Sequence, residues 1–120
     1  MKKFAVFAAV VLLGAGCMGG AAPDTSTVQG TWDAIESAIK AGDCEAFATY
    51  FTDRLSVGEE QCQEAIEVYE EHGGPAIDWE KTNEGAGDTT TKVYMEGERT
   101  LTTFVKDSDG MWKADTIFWR

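Results

Sequence analysis

Residues 41–51 read AGDCEAFATYF, and this stretch decides the helical half of the fold. Gly42 is placed to stop one helix. Asp43 is the residue type that starts the next, because its short carboxylate accepts a hydrogen bond from a backbone N–H with no partner inside the helix. A short helix then runs through about Phe51, with Phe47, Tyr50 and Phe51 as its apolar side. Upstream, Val28, Trp32, Ile35 and Ile39 recur at steps of four, three and four, which is one helical face. Ser26 and Gln29 have capping-box spacing at its start. Downstream, Ser56 and Glu59 have the same spacing, and Cys62, Ala65, Ile66 and Tyr69 form the face of a third helix. Glu59 and Glu60 suit the positive end of its dipole. Gly73-Gly74-Pro75 ends it.

After residue 75 the period changes. AIDWEKT (76–82), TTTKVYMEG (89–97), RTLTTFVK (99–106) and MWKADTIFW (111–119) are short runs rich in Thr, Val and aromatics, separated by Gly-containing turns. DSDG at 107–110 reads as a hairpin loop, with Gly110 in a left-handed conformation. Three helices followed by four antiparallel strands make the expected class α+β. In the last run both faces carry bulk, with Trp112, Ala114 and Phe118 on one side and Met111, Ile117 and Trp119 on the other. A sheet with one wet face alternates cleanly between apolar and polar residues. Here one face is expected to pack on the helices while the other lines a pocket or meets another subunit.

The N-terminus reads as a targeting segment. Lys2 and Lys3 precede ten apolar residues from Phe4 to Leu13, and Gly14, Ala15 and Gly16 follow. This is the layout of a secretory signal peptide, and the run is short for a bilayer span. A short membrane or buried helix is the alternative. LLGAGC, ending on Cys17, resembles the lipobox of bacterial lipoproteins, although Gly14 holds the place where Leu is usual. That resemblance implies cleavage before Cys17 and acyl chains on its thiol. Two or more chains anchor a protein stably where one does not. The expected organisation is a signal peptide at 1–16, a lipidated N-terminus and Gly/Ala/Pro/Ser/Thr-rich tether at 17–27, and one domain at 28–120. The expected place is the outer face of a bacterial cell-envelope membrane.

An exported domain meets an oxidising compartment. Cys44 and Cys62 stand 18 residues apart across a helix break, so two helices folding back can join them in a disulfide. Two buried free thiols are the alternative. Two thiolates and the single His72 make a poor zinc set.

The chain carries 21 acidic and 10 basic residues, a formal charge of −11. Because Lys2 and Lys3 fall within the first 16 residues, the remainder carries −13. This argues against nucleic acid, whose phosphates need Lys and Arg, and against an electrostatic grip on anionic lipid. It reads as a solvated, mutually repelling surface that keeps the domain soluble; adaptation to high salt or to a cationic partner is the alternative.

The order of helix, Gly-Asp break, short helix, third helix and aromatic strands ending in WKADTIFW resembles the NTF2-like superfamily, of cystatin-like α+β fold. The likeness is to its small exported members of the SnoaL-like or DUF4878-like kind. It covers residues 26–120 and implies a cone of curved sheet around a long helix, open at one end. The superfamily holds both enzymes and binding domains, so the fold alone does not fix the function.

No phosphate loop, Cys-x-x-Cys pair or nucleophile elbow is present. No cofactor and no metal is expected. The resemblance implies that an enzyme would use an Asp or His base with Tyr or Trp donors, for which Asp78, Tyr94 and Asp115 are the catalytic candidates. His72, beside Gly73, reads as a cation at a helix C-terminus. Trp32, Trp79, Trp112, Phe118 and Trp119 are candidate pocket or interface residues. The first functional reading is a non-catalytic domain binding a small apolar ligand or a protein partner. An isomerase- or dehydratase-type enzyme and a structural homodimer are the alternatives.

Overall fold

The structure is a computed structural model, and it describes residues 24–97 and 99–119. The signal peptide, Cys17 and the tether up to residue 23 lie outside the described residues. Helix α1 (Val28–Ala41) starts at Thr27, whose hydroxyl accepts from the Gly30 N–H at 3.0 Å. The cap is therefore one residue later than Ser26, which turns its own N–H and hydroxyl onto Asp24. Gly42 ends α1 at φ 70°, and the next N–H, from Asp43, returns to the Ala38 carbonyl. One face of α1, from Thr31 through Trp32, Ile35 and Ala38 to Ile39, is buried.

Helix α2 (Cys44–Ala48) begins where Asp43 accepts from the Ala46 N–H at 3.2 Å. After a single 3₁₀ turn at Asp53–Leu55, helix α3 (Glu59–His72) begins. Its start is not a Ser56–Glu59 box. Ser56 takes a left-handed conformation in the loop, and the Gln61 side chain accepts from the Gly58 N–H instead. The Cys44–Cys62 disulfide ties α2 to α3, with the two Cα atoms 5.5 Å apart.

The second half departs from expectation. AIDWEKT is not a strand: Asp78 accepts from the Lys81 N–H and caps helix α4 (Trp79–Glu84). Only Ile77 keeps an extended contact, an isolated antiparallel bridge to Met95. Strands β1 (Thr90–Met95), β2 (Arg99–Lys106) and β3 (Trp112–Ala114) then form one antiparallel sheet in the order β1-β2-β3. Pairing runs from Thr90 opposite Val105 to Met95 opposite Arg99, with an irregularity between Val93 and Tyr94. MWKADTIFW gives only three strand residues before the chain leaves the sheet at Asp115. The class is α+β, but the described residues form four α-helices and three strands in place of three helices on about four strands. The NTF2-like cone expected from the resemblance is corrected with it.

The core lies between α1, α2 and the inner face of the sheet. Trp32, Ile35, Phe47, Val93 and Phe104 are at most 2% exposed. Two main-chain clasps join the layers. Ala114 donates to the Tyr50 carbonyl, and Thr52 donates back to the Ala114 carbonyl. Trp112 donates to the Thr25 carbonyl, so the chain just before α1 is already held on the edge strand.

Two stability outcomes follow from this packing. Reduction of the disulfide, or Cys44→Ala with Cys62→Ala, lowers unfolding free energy in urea by about 3 kcal/mol, the loop-entropy value for a loop of this size; an unchanged midpoint contradicts it. Gly30→Ala reverses the usual helix rule. Ala is normally favoured over Gly inside a helix by about 1 kcal/mol, but here a Cβ would stand 1.9 Å from the Asp24 carbonyl oxygen. The variant loses about 1–3 kcal/mol by overpacking, and a gain in melting temperature contradicts that.

Candidate functional site

The site is built by the chain's last turn. Asp115 leaves the sheet because three groups hold it. Thr52 Oγ1 donates to its carboxylate at 2.6 Å, Arg54 Nε donates at 2.8 Å, and Arg54 Nη2 donates to its carbonyl at 2.6 Å. Its own N–H still reaches Thr103. Beyond it the Thr116 and Thr102 hydroxyls share a hydrogen bond at 2.6 Å. Residues 117–119 can then fold back over the helices instead of continuing β3.

This fold-back seats two aromatic rings. Phe118 lies 4.9 Å from Trp32 and stacks on Phe51 at 6.1 Å. Trp119 meets Phe47 at 5.5 Å and Phe51 edge-on at 5.6 Å. Aromatic pairs at such separations each add about 0.5–1.5 kcal/mol beyond the area they bury. The indole N–H of Trp119 donates to Glu64 at 3.2 Å.

The outer sides of Phe118 and Trp119 form one wall of an open cleft of about 390 Å³. Leu101 and Met95 of the sheet and Pro75 of the α3–α4 loop add apolar surface. His72, Arg99 and Thr100 supply its polar rim, together with Tyr69. The Tyr69 hydroxyl is not free to act: it donates to Glu36 at 3.0 Å, and burial first, then the Glu36 charge, pushes its pKa well up. It is a neutral donor at any ordinary pH. Two further hollows, of about 360 and 420 Å³, run along α1, and both have carboxylates in their lining: Asp33 and Asp43 in the first, Glu70 together with Lys40 in the second.

The residues expected from sequence are dispersed. Trp32 and Trp112 are core, at 2% and 6% exposure. Trp79 opens α4 and packs against the core from outside the cleft. Only Phe118 and Trp119 line the cleft. Asp78 is spent on capping α4. Tyr94 is half-buried under Lys81, whose ammonium sits 4.8 Å from its ring centre, and it meets Asp78 through the main chain alone. Asp115 is in another corner, and the Arg54 hydrogen bond holds its carboxyl below the usual carboxylate range despite partial burial. It is an ion-pair partner and not a raised-pKa base. From sequence, His72 reads only as a helix-end cation and Arg99 only as the first residue of the RTLTTFVK run. Their meeting across α3 and β2 had no sequence signal.

Among the described residues no group of three or more His, Cys, Asp or Glu could hold a metal ion, and no helix is long and apolar enough to cross a membrane. No protein-family profile, curated protein or solved structure matches the chain.

The clamp gives a signed pH effect. The depressed pKa of Asp115 means its contribution is present above the unfolded carboxylate value, about 3.9, and is lost as pH falls through the folded one. Asp115→Asn therefore lowers the melting temperature by a few degrees near pH 7, and the gap to the parent narrows below pH 4. A gap that is constant between pH 7 and 3 contradicts the ion-pair role.

Proposed function

We propose that this chain is a lipid-anchored, non-catalytic binding domain on the outer face of a bacterial cell-envelope membrane, with the Phe118–Trp119 cleft as its binding surface. The cleft carries the reading: it presents ring faces to solvent while the indole N–H and phenol of its walls are bonded behind it. Both candidate bases have other work, Asp78 as a helix cap and Asp115 as the partner of Arg54, which favours binding over catalysis. Kinship with small exported NTF2-like lipoproteins is part of the proposal, as a resemblance in sequence over residues 26–120 and without the cone.

The anchor and the cleft belong to opposite poles. Thr25 and Thr27 are fixed beside Trp112 at the start of α1. The cleft takes in Gly73 and Gly74, which also flank Gly42 at the far end of that helix. Fourteen residues of helix separate the poles by about 20 Å. The seven residues from Cys17 to Asp24 reach at most about 25 Å. In this reading the cleft, at the pole opposite the anchor, is offered to a soluble ligand or partner.

The test is the intact mass of the protein released from its host's membranes. A chain beginning at Cys17 and carrying acyl chains supports the anchor. An unlipidated chain beginning elsewhere refutes it.

A further inference from the structure

The chemistry of the cleft selects its occupant more narrowly. We infer that it takes a small molecule with an apolar, ring-sized body and a single carboxylate, held by Arg99. This rests on the reading of the cleft as a binding surface and adds the charge of what is bound.

The chain as a whole is strongly acidic, with 21 carboxylate side chains against 10 basic ones. The cleft inverts that balance. Among the described residues no Asp or Glu side chain lines it, whereas His72 and Arg99 both do. Three carboxylates that touch its lining residues are committed to them: Glu36 to the Tyr69 hydroxyl, Glu64 to the Trp119 indole, and Glu71 to His72 at 2.9 Å. Glu71 thus offsets His72, which is charged only when protonated. Arg99 is charged at every ordinary pH, is exposed, and makes no ion pair with a described residue. Its planar fork matches a carboxylate in two parallel hydrogen bonds. Beside it the Leu101, Met95 and Trp119 surfaces would remove an apolar body from water. A cleft of about 390 Å³ lies in the range used for small ligands. A cationic ligand would meet Arg99 unfavourably, and a wholly neutral one would leave its guanidinium unused.

The mature protein in lipid nanodiscs, ¹⁵N-labelled, is titrated with 4-phenylbutyrate and with the neutral isostere 4-phenylbutanol, using empty discs to subtract partitioning. The acid is expected to shift the amides of His72, Thr100 and Leu101. The alcohol binds about tenfold more weakly, the worth of one charge-assisted pairing. Arg99→Gln weakens the acid by a similar factor and leaves the alcohol unchanged; Arg99→Lys restores part of the loss. Equal binding of acid and alcohol, or an Arg99→Gln variant that binds the acid like the parent, overturns the carboxylate inference while leaving an apolar binding cleft. No shift at the cleft from either probe at millimolar concentration removes the small-ligand reading together with it.

Discussion

The structure depends on the contact between its last two aromatic residues and the short helix in its first half. Phe47 sits at the centre, fully buried, with Phe51 at 4.8 Å and Trp119 at 5.5 Å. Without Phe118 and Trp119 folded back, Phe47, Phe51 and the edge of Trp32 would face water. A three-stranded sheet whose last strand has three residues is a small surface on which to build a core. The terminal turn completes the cover that a longer sheet would supply. Because apolar burial scales with area removed from water, a few large rings can replace a strand's worth of smaller side chains.

That replacement explains why the site lies where it does. A ring packed on one face against the core has its other side available, and the two rings at the end of the chain are of this kind. The same segment is therefore core on the inside and cleft wall on the outside. Stability and recognition share residues here, and a substitution at Trp119 acts on both. The Asp115 clamp, although mostly at the surface, sets the direction of that segment through Thr52 and Arg54, which lie more than sixty residues away in sequence.

Local signals were legible in the sequence where conformation is decided locally. Gly42 and Gly110 both take left-handed backbone, at φ 70° and 82°, which only a residue without a side chain adopts easily. Asp43 caps α2, and the Cys44–Cys62 pair closes as the helix break allows. Asp78 carried the same capping signal as Asp43, but the surrounding Ile, Trp and Thr favoured a strand reading, and the cap won. The turn at Asp115 had no local signal, because its partners are distant in the chain. For the same reason the aromatic set was read correctly as bulky but not sorted into core and wall. The meeting of His72 and Arg99 was hidden: His72 ends a helix and Arg99 begins a strand, and only the tertiary fold places them on one rim.

The account treats the terminal turn as a fixed part of the fold, and native-state hydrogen exchange reads this directly. The amides of Thr52, Ala114 and Asp115 donate across the joints that hold it, to Ala114, Tyr50 and Thr103 respectively. If the turn opens only when the whole domain unfolds, these three exchange with the same free energy as the amides in the middle of β2. If they exchange through a separate, lower-energy opening while β2 stays protected, the terminal segment is a detachable flap, and neither the core nor the cleft depends on it as described.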